Sequence, residues 1–198
     1  MSIDALLLDI GGVILTVDWK RSFHTLFPKC SNYDETLSQI SNWDVFHSFE
    51  CGKISPEKFH QLITNKFNSK LIFSEFCIGW NACLVAPLKE SCSRFSQANV
   101  PIYALSNTNK IHLAYFTKQW NFSFLKKIIA SNKIGYRKPS NEFYITALKM
   151  LGLDAGQALF IDDLPQNVEA AKSIGLHAHI SVNSAQMSNE ILTKYKLI

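Results

Sequence analysis

The chain has 198 residues, of which 47% are hydrophobic and 18% are charged. This composition is typical of a globular domain with a full core and excludes a disordered or low-complexity chain. The net charge of +4 comes from scattered lysines and arginines and suits an anionic small molecule as well as a nucleic acid, so it does not identify a partner.

The first predicted element is a buried strand at residues 5–9. Its run of three leucines ends on Asp9, and Gly11 and Gly12 follow almost at once. An acid at the tip of a strand before a sharp turn is most often a turn residue or a helix cap. The same position also suits a nucleophile that a sheet edge presents to a substrate.

The long segment after this strand contains no convincing strand of its own. Apolar residues recur there at helical spacing, as in Phe59 and Ile63. We predict that residues 17–85 form a helical cap that covers the strand ends and shelters a site, and that residues 1–16 and 86–198 form the core domain.

Four further apolar runs predict buried strands beyond the cap. Helical patterns lie between them; Gly152 can end one of these helices, and Pro165 suits the first turn of another. Strands that alternate with helices predict an α/β fold, namely a doubly wound, Rossmann-like parallel sheet with an inserted helical cap. The four predicted strands lie at residues 100–106, 128–131, 158–162 and 177–182.

The cysteines and the hydropathy pattern bear on the compartment. An odd number of cysteines without a CxxC pair favours reduced, packed thiols over a disulfide framework. No apolar stretch approaches the roughly 18 residues that a membrane span needs, and the N-terminus lacks the basic leader of a signal peptide. We expect a cytoplasmic protein with no membrane or nucleic-acid partner. The cysteines are Cys30, Cys51, Cys77, Cys83 and Cys92.

Polar residues stand at or near several predicted strand ends, and each has an ordinary explanation. Ser106 in "YALSNTN" suits a helix cap, Lys138 in "GYRKPSNEFY" suits a solvated turn, and the acids in "LFIDDLPQN" suit the start of the next helix. However, Asp162 and Asp163 would repel each other at one sheet edge without a cation.

Taken together, these residues form a pattern suited to phosphoryl transfer. A carboxylate nucleophile, Asp9, needs a metal that offsets its repulsion of a phosphate dianion. Asp163 and Asp162 would complete an oxygen-rich Mg²⁺ site. The hydroxyl of Ser106, the backbone N–H of Asn107 and the ammonium group of Lys138 would supply donors and positive charge to the phosphoryl group. The list for this site is therefore Asp9, Ser106, Asn107, Lys138, Asp162 and Asp163.

The order of these motifs resembles that of the haloacid dehalogenase superfamily, most of whose members are Mg²⁺-dependent phosphatases. The stretches "DIGGVILTVD", "LSNTN", "YRKPSNEFY" and "FIDDLPQNVEAA" most resemble the bacterial α-D-glucose-1-phosphate phosphatase group, whose cap follows the first motif. Bacterial receiver domains use similar residues, but there the acidic pair comes first. The resemblance implies a phosphatase for a small phosphate monoester, possibly a sugar phosphate, that works through an aspartyl-phosphate.

The resemblance also implies individual roles. Asp9 matches the nucleophile and first metal ligand, and the carbonyl of Gly11 matches a backbone metal ligand. Asp163 matches the carboxylate ligand, and Asp162 a supporting one that often acts through water. Ser106, Asn107 and Lys138 match the phosphate binders. Asn167 stands where many relatives carry a further acid.

Gly11 is the main departure from the pattern. Most relatives carry a second aspartate there, which gives and then takes a proton; such help is typically worth about 10²–10⁴-fold in rate. Asp18 is the nearest other acid, although a helix cap is its favoured interpretation.

Two other functions stay open. One is a phosphate-binding or regulatory protein that has lost turnover. The other is a dehalogenase or phosphomutase that uses the same nucleophile, but dehalogenation needs no metal and a mutase needs a proton donor beside the nucleophile. For the preferred phosphatase we expect a small phosphorylated partner and a monomer or weak homodimer. Aromatic residues of the cap favour core packing over a pocket wall: Trp19, Trp43, Phe46 and Trp80.

Overall fold

A parallel sheet forms the centre of the computed structural model, which describes residues 2–28, 32–181 and 185–198. The strands in this described part are β1 (Ala5–Leu8), β2 (Leu15–Val17), β3 (Leu84–Pro87), β4 (Ile102–Ser106), β5 (Lys127–Ala130), β6 (Ala158–Asp162) and β7 (His177–Ile180). Five of them make the parallel sheet in the order β5-β4-β1-β6-β7. The predicted Rossmann-like α/β fold is therefore confirmed.

The five predicted core strands are all present, with ends that differ by at most two residues. The strand predicted at 177–182 ends at Ile180, and Val182 lies outside the described residues. In β1, Leu6 and Leu8 pack on one face of the sheet and Leu7 packs on the other. Because both faces are covered, this strand is a continuous apolar run and shows no alternation.

Helices cover the sheet and form the insertion after β2. Five described helices make up the insertion: α1 (Trp19–Leu26), α2 (Tyr33–Ser41), α3 (Asp44–Glu50), α4 (Pro56–Lys66) and α5 (Phe73–Asn81). The others are α6 (Lys89–Phe95), α7 (Lys110–Gln119), α8 (Ser131–Ile134), α9 (Asn141–Leu151), α10 (Pro165–Ser173) and α11 (Ala185–Lys194). A single-turn 3₁₀ helix lies at Ala155–Gln157.

The insertion has its own aromatic core. Phe59 and Trp80 are fully buried at its centre, with their ring centroids 5.1 Å apart. Asp18 begins α1 by accepting a hydrogen bond from the Lys20 N–H at 3.1 Å, and Ser55 caps α4 in the same way through the Lys58 N–H. The prediction of helices throughout the middle segment is confirmed for these five elements.

The expectation that the middle segment contains no strand is wrong at its two ends. β2 and β3 pair in an antiparallel ribbon that joins the insertion to the sheet domain. Strands of three and four residues are too short to show a period-two pattern in the sequence. The division into a core (1–16 and 86–198) and a cap (17–85) stays a prediction, and the ribbon crosses both of its borders.

The described cysteines agree with the sequence analysis. Cys51, Cys77, Cys83 and Cys92 are free thiols, and Cys30 lies outside the described residues. Among the described helices, none has the length and apolar character that a membrane crossing requires.

Candidate active site

Asp9 lies at the carboxyl end of β1, the central strand, between the ends of β4 and β6. Its Oδ1 accepts hydrogen bonds from the Ile10 N–H at 2.7 Å and from the ammonium group of Lys138 at 2.8 Å. Its Oδ2 accepts none from the described residues, and the carboxylate lines a cavity. Burial raises the pKa of Asp9 to about 7, although the positive charge of Lys138 acts to lower it. One oxygen is thus fixed and the other is free to react.

Lys138 is a buried cation between two carboxylates. Its Nζ lies 2.8 Å from Asp9 Oδ1 and 2.6 Å from Asp162 Oδ2, and only 1% of its side chain is exposed. Burial acts to lower the pKa of Lys138, but the two carboxylates together raise it above its usual value. The solvated-turn interpretation is therefore wrong, and the side chain stays charged beside Asp9.

Asp162 holds Lys138 in place. Its Oδ1 accepts hydrogen bonds from the Leu164 N–H and the Asn167 amide, both at 2.9 Å, and Asn167 also reaches Oδ2 at 3.0 Å. Both oxygens of this fully buried carboxylate are engaged. These contacts fit a supporting role for Asp162. Asn167 adds no charge there, but its amide donates hydrogen bonds to the Asp162 carboxylate.

Asn107, which directly follows β4, binds the backbone of Lys138 through two hydrogen bonds. Its Oδ1 accepts from the Lys138 N–H and its Nδ2 donates to the Lys138 carbonyl, both at 2.8 Å. Ser106, the last residue of β4, is buried and lines the same cavity. Ser106 and Asn107, which are predicted to bind phosphate at the end of β4, thus lie beside Asp9 and Lys138.

Asp163 supplies a second carboxylate that lies open to the cavity. It makes no ion pair within the described residues, and burial together with Asp162 raises its pKa. Oxygens of Asp9, Asp162 and Asp163 lie within 4.8 Å of one another. Lys138 offsets part of the repulsion between these carboxylates, and their oxygen donors suit a hard divalent cation.

Gly12 makes room for Asp163. A Cβ atom on Gly12 would lie 2.2 Å from Asp163 Oδ2, and the φ of +70° at Gly12 is one that side-chain-bearing residues rarely adopt.

Gly11 has both the backbone conformation and the space that a side chain needs. Its φ lies outside that left-handed region, and an added Cβ would meet Val17 at 3.4 Å, an ordinary contact. The second aspartate of most relatives is therefore absent from a position that can hold a side chain.

Asp18, the next acid after Gly11 in the sequence, does not line the cavity. It is exposed, and it caps α1. The helix-cap interpretation of Asp18 is confirmed.

The cavity has a volume of about 460 Å³ and extends from Asp9 to the helical insertion. Trp19 and Phe46 line it, although helical spacing favoured core packing over a pocket wall for the cap aromatics. Trp80 is fully buried in the core of the insertion, as expected, and Trp43 is not part of the cavity wall. Helical spacing shows that a side chain faces inward, but not whether it meets protein or a cavity.

Three further cavity residues carry no signal in the sequence. They are Glu50, Arg137 and His112. Glu50 of α3 forms an ion pair with Arg137, in which Oε2 lies 2.9 Å from Nε. Burial raises the pKa of Glu50 to about 7, although the positive charge of Arg137 acts to lower it.

His112 is buried in the same wall, and burial lowers its pKa to about 4. Its Nε2 contacts the Trp80 carbonyl at 3.0 Å and its Nδ1 the Asn109 amide at 3.1 Å, so it is a neutral, fixed ring.

Comparison with known proteins agrees with this geometry. The model of the haloacid dehalogenase-like hydrolase family matches residues 3–175. A sesquiterpene phosphatase from Aspergillus oryzae is 27% identical over 87% of this chain and 86% of its own. A D-ribitol-5-phosphate phosphatase from Bacteroides thetaiotaomicron is 22% identical over 94% and 95%.

Solved structures give the same result. A family enzyme from Bacteroides thetaiotaomicron, crystallised with magnesium and inorganic phosphate, superposes with a TM-score of 0.79 at 25% identity and covers 92% of this chain and 96% of its own. The fold, the motif order and the family match agree along nearly the whole chain. The chain is an enzyme that belongs to the haloacid dehalogenase-like hydrolase family.

Proposed function

We propose that this chain is a Mg²⁺-dependent phosphatase that hydrolyses a small phosphate monoester through an aspartyl-phosphate on Asp9. The main support is the geometry of Asp9, whose Oδ1 is held by Ile10 and Lys138 while Oδ2 accepts no hydrogen bond from the described residues. Two relatives named as phosphatases and a related structure with magnesium and phosphate add support.

Each residue has a role in this reaction. Asp9 Oδ2 attacks phosphorus, the ester P–O bond breaks, and the alkoxide leaves and takes a proton from water. A second water then hydrolyses the acyl phosphate, which releases inorganic phosphate and restores the carboxylate. Lys138, the Ser106 hydroxyl and the Asn107 N–H stabilise the charge on the transferring phosphoryl group.

Asp9, Asp163 and the carbonyl of Gly11 would hold the Mg²⁺ ion, with Asp162 in support. When bound, the ion offsets the repulsion between carboxylates and phosphate. The cluster of three carboxylates fits such an ion, and it disfavours the dehalogenase alternative, which needs no metal. The phosphomutase alternative is disfavoured because Gly11 offers no proton.

A turnover assay distinguishes the phosphatase from a binding protein that shares its site. We expect phosphate release from p-nitrophenyl phosphate and acyl phosphates in the presence of Mg²⁺, and none in the presence of a chelator. Phosphate binding without release would favour the regulatory alternative. Unchanged turnover in chelator would contradict the metal requirement. The cytoplasmic location and the monomer or weak homodimer stay predictions.

Asp163→Asn should raise the Mg²⁺ concentration needed for half-maximal activity by about 10–100-fold, because a neutral amide binds a hard cation less well than a carboxylate. The measurement is a Mg²⁺ titration of p-nitrophenyl phosphate hydrolysis. Asp34→Asn, in the exposed first turn of α2, is the matched control and should leave the titration unchanged. An equal shift in both variants would remove Asp163 from the metal site.

Gly11→Asp should increase turnover of alkyl phosphates by up to about 10²-fold, and of p-nitrophenyl phosphate much less. The added acid protonates a basic leaving oxygen, whereas nitrophenolate departs without a proton. The structure leaves ordinary contact distance for the new Cβ. The ratio of kcat/KM for the two substrates, before and after substitution, is the measurement.

Gly12→Ala is the contrasting variant. Its Cβ would collide with the Asp163 carboxylate, so we expect the variant to lose activity on both substrates by at least about tenfold.

The Gly11→Asp prediction has its own contrary outcome. If that variant folds and its turnover rises equally on both substrates, another group already transfers the proton.

A further inference from the structure

The cavity wall that faces the phosphate site is mainly apolar. The helical insertion contributes the side chains of Trp19, Phe23, Leu37, Ile40 and Phe46 to it. Leu37 and Trp19 are half-buried, and the other three are buried. The organic group of a phosphate ester bound at Asp9 would therefore contact aromatic and aliphatic carbon.

Several polar side chains of the same cavity already bind protein groups. His112 uses both ring nitrogens, on Trp80 and Asn109. Asn107 uses its amide on both backbone groups of Lys138. The Ser41 hydroxyl donates to the Ser38 carbonyl at 3.2 Å.

Glu50 and Arg137 complete the polar part of the wall. They form an ion pair with each other at 2.9 Å, so their opposite charges are matched within the protein. Apart from the terminal nitrogens of Arg137, which make no hydrogen bond within the described residues, a polyol or sugar in this cavity would meet few side-chain groups free to bind its hydroxyls. Each hydroxyl left without a partner would lose the hydrogen bonds it makes to water, which costs affinity.

We infer that the organic part of the substrate is an apolar alkyl or aryl group and not a polyol or sugar. This inference deepens the proposed function and rests on it. The phosphate group is held by Lys138, Ser106 and the metal ligands, and the insertion selects the ester by the apolar surface it buries.

Alkylphosphonates test this without depending on turnover, because their P–C bond is not hydrolysed. In the presence of Mg²⁺, binding to the unmodified protein is measured by calorimetry. Affinity should rise about two- to fourfold per added methylene from methyl- to hexylphosphonate. A polyhydroxylated pentylphosphonate should bind at least about tenfold more weakly than pentylphosphonate.

Leu37→Gln places a polar group in the wall and should lower the ratio of hexyl- to methylphosphonate affinity by about tenfold. Leu62→Gln is the matched control, because Leu62 is half-buried in α4 of the same insertion but does not line the cavity. It should leave the ratio unchanged. An equal fall in both variants would mean that the wall does not select the ligand.

The outcomes separate this inference from the proposed function. Hydrolysis of p-nitrophenyl phosphate with a flat chain-length series, or with tighter binding of the polyhydroxylated compound, would overturn the apolar substrate and leave the phosphatase. A rising series without any turnover would support the apolar ligand and overturn the hydrolysis.

Discussion

Asp9→Asn should reduce turnover of every phosphate ester by about 10⁴-fold or more, because an amide does not attack phosphorus. The fold should survive, since the substitution is nearly isosteric and the amide oxygen can still accept the hydrogen bonds that Ile10 and Lys138 donate to Oδ1. The measurements are phosphate release at saturating Mg²⁺ and the circular dichroism of the purified protein.

Asp18→Asn is the control for this prediction. Asparagine caps a helix about as well as aspartate, and Asp18 lies outside the cavity, so turnover should stay within about twofold of the unmodified enzyme. A large loss of turnover in Asp18→Asn would identify Asp18 as the proton donor that is missing at position 11. Turnover of the Asp9 variant at the rate of the unmodified enzyme would remove Asp9 from the mechanism.

Lys138→Met should both weaken phosphate binding and destabilise the protein. The substitution keeps an unbranched side chain but removes the charge that binds Asp9 and Asp162. Loss of a buried partner leaves two uncompensated carboxylates, which typically costs about 3–5 kcal/mol in the free energy of unfolding. Loss of a preorganised donor should lower kcat by about 10²–10³-fold.

The destabilisation should depend on pH in a defined direction. Without the ammonium group, the folded-state pKa of Asp9, which burial already raises to about 7, rises further above its unfolded value. The folded variant then binds more protons than the unfolded chain, so its stability falls as pH rises through that range. The deficit relative to the unmodified protein should therefore grow as the pH rises above about 7, the folded-state pKa of Asp9 when Lys138 is present.

Urea unfolding at several pH values, together with vanadate binding, measures both effects. Lys133→Met on α8 is the control, because Lys133 is exposed in the same part of the chain. A deficit that stays constant with pH would mean that packing, and not charge, accounts for the loss. Unchanged vanadate affinity would remove Lys138 from the phosphate site.

The sheet and the residues at its edge could be predicted because their signals are local. The run before Asp9 is apolar along its whole length, as a parallel strand covered on both faces must be. Parallel strands bring their carboxyl ends to one edge, so Ser106 and Asp162 were expected beside Asp9. The order of the motifs then identified the family, which the match over residues 3–175 confirms.

The contacts within the site could not be predicted in the same way. Lys138 and Asp162 are 24 residues apart, and no local pattern indicates which acid a lysine will meet. Glu50 and Arg137 are farther apart still, and their ion pair forms only because the insertion folds back over the sheet. The β2–β3 ribbon was missed for a similar reason, since its pairing joins distant residues.

The sequence by itself determined the α/β class, the helical insertion and the side chains that meet at the end of β1, because these follow from periodicity and from the direction of parallel strands. Only the tertiary structure decided which cap aromatics line the cavity. Trp19 and Trp80 both face inward at helical spacing, but Trp80 is covered on all sides by its neighbours whereas Trp19 borders the cavity above Asp9. Packing between helices that are distant in sequence decides whether an inward side chain meets protein or a ligand.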